Sequence, residues 1–348
     1  MKIVAAIDSL KGCLTSAEAN RAARCGVLEV LPEAEVVEFT VSDGGEGWLS
    51  AVRRKGDEDV AITVDDPLRR PVCARYLVRG HTAIIEVAEA CGLSILSTSE
   101  RNPLVASSFG VGQIITDALS RGCTNLIIGL GGSATSDAGR GMMEALKGQQ
   151  VPADISVTIA TDVDNPLYGP HGAAAVFAPQ KGATDEMIEE LDRQARLFAR
   201  KAAQQSGFDR SWEPGAGAAG GLGYAFMQFF NATRRPGIDL LIDSAGFDSI
   251  IADAEIIITG EGHADRQTLM GKAPMGILRR AQSRHIPTIL IAGRIDGRQA
   301  LLEAGFADAI CINKKSLPIG EAIKRDIAIK NIKTAVSAAI SSLNFRNK

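Results

Sequence analysis

Apolar residues along this chain follow two alternating rhythms. Short unbroken runs mark strands covered on both faces, and longer stretches with apolar positions every three or four residues mark amphipathic helices. Residues 2–7 form the first run. Thr15-Ser16-Ala17-Glu18 then reads as a capping box, so a helix is expected to run to about Leu31 and stop at Pro32. Residues 35–41 predict a second strand, followed by a loop at 42–47 and a helix beginning near Trp48. Strand, loop and helix in that order predict a parallel α/β sheet.

The pattern changes at residues 60–88. Runs at 60–64, 72–78 and 83–87, parted by turns at Pro67 and Gly80, predict a small antiparallel meander. Helices are then expected over about 112–121, 137–147 and 184–205, with strands at 126–130 and 155–161. The last third predicts strands at 255–259, 288–292 and 309–312. Helices near 274–284 and 297–304 join them, and a cover helix starts at about Ile319. The expected fold is α/β with two α/β domains. A discontinuous doubly wound domain (1–60 and 235–348) carries an inserted α/β domain with the meander (61–234). A cleft between two such domains is a usual place for a small-molecule site.

Composition narrows the function. A length of 348 residues favours two domains, and 45% hydrophobic with 23% charged residues excludes extensive disorder. The 38 basic against 41 acidic side chains, net −3, lack the basic excess that general nucleic-acid binding needs. No apolar run approaches the roughly 18–20 residues of a membrane span. The N-terminal apolar stretch meets Asp8 too soon for a signal peptide, so a cytoplasmic protein with no membrane partner is expected. The cysteines (Cys13, Cys25, Cys73, Cys91, Cys123, Cys311) form no Cys-x-x-Cys pair. Reduced, mostly buried thiols are expected. The four histidines lack the spacing of a helical zinc site.

The chemistry gathers in loops at expected strand ends, where α/β proteins place their sites. Asp8-Ser9-Leu10-Lys11-Gly12 offers a long cation, and an acid that needs a partner at the end of a buried strand. Ser42-Asp43-Gly44-Gly45-Glu46-Gly47 crowds two carboxylates among three glycines, which favours a metal or donor nearby. Gly131-Gly132-Ser133-Ala134-Thr135-Ser136-Asp137 leads into a helix, a setting that attracts phosphate or carboxylate. It fits neither the G-x-x-x-x-G-K-[ST] nor the G-x-G-x-x-G pattern. Thr161-Asp162-Val163-Asp164-Asn165-Pro166 is rich in hard oxygen donors suited to Mg²⁺. Residues 259–268 bring Glu261, Asp265 and Arg266 together, with Lys272 just beyond. Lys181 precedes the long helix, and the glycine-rich stretch 214–223 offers backbone for a hinge, a close-approach loop or a covering loop. Amide donors, cations and acids in this combination suit phosphoryl transfer.

These motifs, in this order and spread almost end to end, resemble those of the ATP-dependent bacterial glycerate kinases. The likeness runs through residues 8–12, 42–47, 131–137, 162–167, 179–183, 214–223 and 259–274, including Asp265-Arg266-Gln267-Thr268-Leu269-Met270-Gly271-Lys272. The resemblance implies two α/β domains, one of them flavodoxin-like. It also implies phosphorylation of D-glycerate by ATP with Mg²⁺, giving 2-phosphoglycerate. The chain departs from the family pattern at Leu10, usually Phe, at Ala138, usually Gly, and at His263-Ala264, more often Arg-Leu; it is also shorter between Leu146 and Ile155.

For such a reaction Lys11, Lys181, Arg266 and Lys272 are the candidate cations. Arg266 is the first choice for the substrate carboxylate, because a guanidinium binds it as a fork. Asp8, Ser133 and Lys272 are further substrate-binding candidates. Gly131, Gly132, Lys181, Gly260 and Glu261 are the candidate nucleotide-binding residues. Mg²⁺, carried mostly by phosphates, would take one or two protein carboxylates, with Asp162 and Asp164 the leading pair. Asp43, beside the like charge of Glu46, is favoured as base, and Asp265, among cations, as the carboxylate that orients the hydroxyl. Lys11 completes the catalytic set. Competing classes are a kinase of a related sugar acid, a glycerate kinase forming 3-phosphoglycerate, a nicotinamide oxidoreductase, and a non-catalytic sugar-acid-binding protein. The oligomeric state is left open.

Overall fold

The computed structural model describes residues 1–10, 12–42, 47–152, 154–314 and 317–344. The strands are β1 (Lys2–Ile7), β2 (Glu35–Glu38), β3 (Glu58–Asp65), β4 (Pro71–Arg79), β5 (Thr82–Glu86), β6 (Asn125–Gly129), β7 (Ser156–Ala160), β8 (Thr233–Arg235), β9 (Ile256–Ala264), β10 (Thr288–Ile295) and β11 (Asp308–Cys311). They fall into two compact units, Met1–Ser42 with Ile238–Lys348, and Asp43–Gly237. The first boundary thus comes after Ser42 rather than after residue 60. The helix Trp48–Val52 belongs to the second unit because the amides of Gly47 and Leu49 donate to the Glu86 carboxylate at the end of β5, at 3.2 and 2.9 Å.

In the first unit five parallel strands run in the order β11-β10-β9-β1-β2. Counted within the unit this is 2-1-3-4-5, the flavodoxin-like arrangement. Alternation along β1 explains its unbroken apolar sequence. Ile3, Ala5 and Ile7 face the helices Ser16–Val30 and Arg325–Asn344. On β10, Leu290 and Ala292 face the opposite layer, with Leu278, Leu301 and Phe306. Each fully buried isoleucine of this kind contributes about 1.5–3 kcal/mol. The Thr15–Glu18 capping box forms as expected. The Thr15 amide and then the Arg325 guanidinium hold the Glu18 carboxyl down at about 2. Helices Ser16–Val30 and Arg325–Asn344 touch at Gly26, where a β-carbon would lie 2.5 Å from the Lys333 carbonyl oxygen.

The second unit has a six-stranded sheet ordered β3-β4-β5-β6-β7-β8. β3, β4 and β5 form the expected antiparallel meander, and β5 to β8 are parallel. Tyr76, Ile85, Ile114, Ile128, Ile159 and Phe226 anchor its core. The stretch 214–223 lies inside this unit rather than between the two, and of its readings close approach is the one the packing supports; it passes through a left-handed kink at Ala219, Gly220 and Gly221 into the buried helical residues 222–230. Gly220 has φ +67° and packs so closely that a β-carbon would sit 1.9 Å from the Thr135 carbonyl oxygen. The thiol expectation also changes. All six cysteines are free, but only Cys91 and Cys123 are buried, while Cys25, Cys73 and Cys311 are exposed. No helix among the described residues is long and apolar enough to cross a membrane.

Candidate active site

In a 2-1-3-4-5 sheet the connections diverge between β1 and β9, which opens a crevice beyond their C-terminal ends. Asp8 stands at the end of β1. Its amide donates to the Gly260 carbonyl at 2.8 Å, and its carboxylate accepts the Ser9 amide at 2.7 Å. Residues 259–264, expected as loop, are strand instead, because β10 continues to pair with β9 as far as Ile295 and Ala264. Gly260 is therefore a strand residue. A β-carbon there would lie 2.3 Å from the Ile291 carbonyl oxygen, so the close approach of β10 requires the glycine.

Glu261 is buried on the same strand. The Thr268 hydroxyl donates to its Oε1 at 2.6 Å, and Lys272 Nζ lies 3.5 Å from its Oε2 and 3.8 Å from Asp265 Oδ1. Burial pushes the Glu261 carboxyl up, and the Thr268 hydroxyl and Lys272 only partly counter it. Asp265 is fixed by its own turn. Its amide donates to Thr268 Oγ1 at 2.9 Å, and its Oδ1 accepts the Gln267 amide at 2.8 Å. Lys272 is the N-cap residue of the helix Ala273–Gln282, with Pro274 in the first turn. Arg266 is exposed and pairs with no side chain among the described residues. The end of β9 and the turn that leads to the next helix thus gather a buried acid, a second carboxylate and a half-exposed cation at the crevice. Lys11, Asp43 and Glu46 lie outside the described residues.

The C-terminal ends of β5, β6 and β7 carry the other candidates. The helix expected from Asp137 starts instead at Arg140, after a left-handed Gly139. Asp137 is the reason. Its carboxylate accepts the Ser108 amide at 2.9 Å, the Ser108 hydroxyl at 2.8 Å, and the amides of Gly139 and Gly141 at 3.0 Å each. The chain's own carboxylate thereby takes the helix-start amides that an anion would need. Upstream, Gly131 is half-buried and Gly132 exposed with φ +71°; the Gly132 carbonyl accepts the Leu93 amide at 2.8 Å. Lys181 is buried, and its Nζ donates to Ser133 Oγ at 3.1 Å and to the Thr135 carbonyl at 2.7 Å. Burial pushes this lysine down to about 8, against the pull of Cys91 and Asp137.

Asp162 and Asp164 are both exposed beyond β7. Asp162 Oδ1 accepts the Gly237 amide at 3.0 Å, and Asp164 pairs with Arg234 at 2.6 Å. No group of three or more His, Cys, Asp or Glu among the described residues could hold a metal ion. Two hard carboxylates on one turn do fit an ion whose other ligands are phosphate oxygens and water. Sequence reasoning missed Glu86, a buried carboxylate that fixes the chain just after residues 43–46 through the Gly47 and Leu49 amides. Its signal was present: like Asp8, it is an acid closing an apolar run.

A family model described as the glycerate kinase family matches residues 3–154 and 147–343. The chain is 38% identical over 356 residues to a Bacillus subtilis (strain 168) protein named glycerate kinase, with 93% of each chain covered. It is 38% identical over 342 residues to an Escherichia coli (strain K12) protein named glycerate 2-kinase, covering 89% of this chain and 90% of that one. The crystal structure of a Salmonella typhimurium LT2 protein assigned as glycerate kinase 2 matches with a TM-score of 0.79 at 35% identity, covering 100% of this chain and 99% of the other.

Proposed function

The chain belongs to the glycerate kinase family, and from that premise we propose that it transfers the γ-phosphoryl group of ATP to the 2-hydroxyl of D-glycerate, releasing ADP and 2-phosphoglycerate. The observation that carries the reading is the Glu261–Lys272–Asp265 cluster at the crevice beyond β1 and β9, in a chain similar along most of its length to a glycerate 2-kinase. In the reaction the glycerate oxygen attacks the γ-phosphorus, the bond to the bridging oxygen of ADP breaks, and the hydroxyl proton passes to a carboxylate.

Lys272, held by Glu261 and Asp265, faces the charge on the transferring phosphoryl group. Arg266, exposed and unpaired among the described residues, takes the glycerate carboxylate as a fork. Asp265, already oriented by its turn, accepts from the substrate hydroxyl, with Asp43 as base and Lys11 as a further cation. Asp8 borders the substrate, and Gly260 and Glu261 shape the floor beside β10. Lys181 supports Ser133 and, through it, Gly131 and Gly132 beside the nucleotide. Asp162 and Asp164 would hold Mg²⁺, which, when bound to the phosphates, spreads their developing charge.

The test is ADP release from the purified protein with ATP, Mg²⁺ and D-glycerate. Enolase alone should consume the product, because it dehydrates 2-phosphoglycerate directly. A need for a mutase before enolase rejects the 2-position, and folded protein without glycerate-dependent ADP release rejects the kinase.

A further inference from the structure

We propose that Arg101, Lys181 and the turn Gly131-Gly132-Ser133 form one oxyanion cradle in the second unit, which binds either the glycerate carboxylate or a phosphate of the nucleotide. The proposal rests on the kinase reading above and adds a binding residue, Arg101, to it.

Donors without acceptors carry the argument. The amides of Gly131, Gly132 and Ser133 make no hydrogen bond to any described residue, although the carbonyl of Gly132 and the amide of Ala134 are both engaged. Three successive free amides around a left-handed glycine make an anion-binding concavity. The Ser133 hydroxyl accepts from Lys181, and an ammonium only donates, so the hydroxyl hydrogen must point elsewhere; no described residue accepts it. Lys181 is 3% exposed, yet both of its acceptors are neutral and no carboxylate lies within ion-pair reach among the described residues.

Arg101 adds a second unmet cation. Many arginines here hold a carboxylate, as Arg70, Arg75 and Arg280 do. Arg101 holds none among the described residues, and its Nε is buried without an acceptor. It packs against the residue after Lys181: Gly182 is left-handed at φ +91°, and a β-carbon on it would lie 2.6 Å from the Arg101 carbonyl oxygen and 3.2 Å from the Arg101 Cβ. Nearby acids are already engaged. Glu100 holds Arg70 and the Ser97 amide, and Asp137 accepts four hydrogen bonds from Ser108, Gly139 and Gly141. Among the described residues, two cations, a polarised hydroxyl and three amides thus have no acid in ion-pair or hydrogen-bond reach and are available to an anion. A carboxylate and a terminal phosphate present the same oxygens to them.

Arg101→Gln in the full chain tests this, since its side chain is only half-buried and the fold should survive the change. KM is measured separately for ATP and D-glycerate. Calorimetric dissociation constants for ADP and D-glycerate, each alone, accompany it. One ligand should weaken about 10–100-fold while the other stays within about twofold. Weakened glycerate assigns the cradle to the carboxylate in place of Arg266, and weakened nucleotide assigns it to phosphate and leaves Arg266 its role. Lys181→Met should weaken the same ligand. Unchanged affinity for both ligands in Arg101→Gln, or an equal loss for both, overturns the proposal. Wild-type protein that binds a ligand but turns over no glycerate defeats the kinase reading instead and leaves the cradle measurable by calorimetry.

Discussion

Lys181→Met removes a charge that the second unit buries with no counter-ion in ion-pair reach among the described residues, and its effect on stability should depend on pH in a defined direction. Burial lowers the lysine from its ordinary 10.5 to about 8. At about 1.36 kcal/mol per pH unit, holding the protonated lysine costs the fold about 3 kcal/mol at neutral pH. The folded value lies below the unfolded one, so between pH 8 and 10.5 the unfolded chain keeps a proton that the folded chain has released. Wild-type stability therefore gains from this group as pH rises through that window, and the gain is lost as pH falls through about 8. Below pH 8 both states are protonated and the full cost applies.

The wild type alone would hide this slope. Burial pushes Cys91 up to about 12 and also raises Tyr76 and Tyr224, and all three pull stability down in alkaline solution. Subtracting the Lys181→Met variant removes them. The substitution also leaves the Thr135 carbonyl and the Ser133 hydroxyl without their donor, an offset of about 1–3 kcal/mol that moves the difference without tilting it. Urea unfolding at pH 7.5, 8.5 and 9.5 reads the result. Both tryptophans, Trp48 and Trp212, lie in the second unit, so their fluorescence reports that unit. Wild type minus variant should rise by about 1.4 kcal/mol per pH unit above pH 8. A flat difference from pH 7.5 to 9.5 would mean that water reaches the ammonium, and the burial argument would fail.

Three further outcomes follow from the geometry. Ala138, left-handed at φ +55°, should tolerate Gly with a gain of about 0.5–1 kcal/mol in urea unfolding, and a loss would show that its methyl group matters more than its backbone. Gly220→Ala must displace the Thr135 carbonyl, 1.9 Å from the new methyl, so about 2–5 kcal/mol of stability should go, together with the acceptor of Lys181; a normal melting temperature would refute the packing account. Lys272→Ala should lower kcat about 10²–10³-fold with little change in melting temperature, because its side chain is 40% exposed; turnover at the wild-type rate would exclude it from the transition state.

The regular elements were legible because their signals are local. The Thr15-Glu18 box, the meander turns and the apolar runs each predict an element without reference to the rest of the chain, and each appears. β8 and the helix Ala218–Phe230 were not legible. β8 is a three-residue edge strand, Thr233–Arg235, with no apolar alternation. The helix is interrupted at Ala219, Gly220 and Gly221, all at positive φ and non-helical, a kink set by contact with Thr135 and Ala138, and regular helix follows only from residue 222. Glycines chosen for close approach and glycines chosen for mobility look alike in a sequence. Only the neighbour 1.9 Å away tells them apart.

The same limit applied to charge. Sequence reading ranked residues by type and crowding, and so favoured carboxylates in glycine-rich loops. What the fold adds is which groups are already satisfied. Asp137 stands just ahead of a helix in the anion-binding motif, yet it supplies the anion itself. Glu261 seemed one acid of a loop, yet it is buried on a strand beside Lys272 with its carboxyl pushed up. Arg101 drew no notice as a lone arginine after a short turn, and only the absence of an acceptor for its buried Nε among the described residues marks it. A donor held without an acceptor costs stability in the free protein, and an anionic ligand recovers that cost on binding. Unmet hydrogen bonding among the described residues, at the Arg101 Nε and the Ser133 hydroxyl, is therefore the feature on which the proposed cradle rests, whereas Glu261, Asp265 and Lys272 stand out by their pairing with one another.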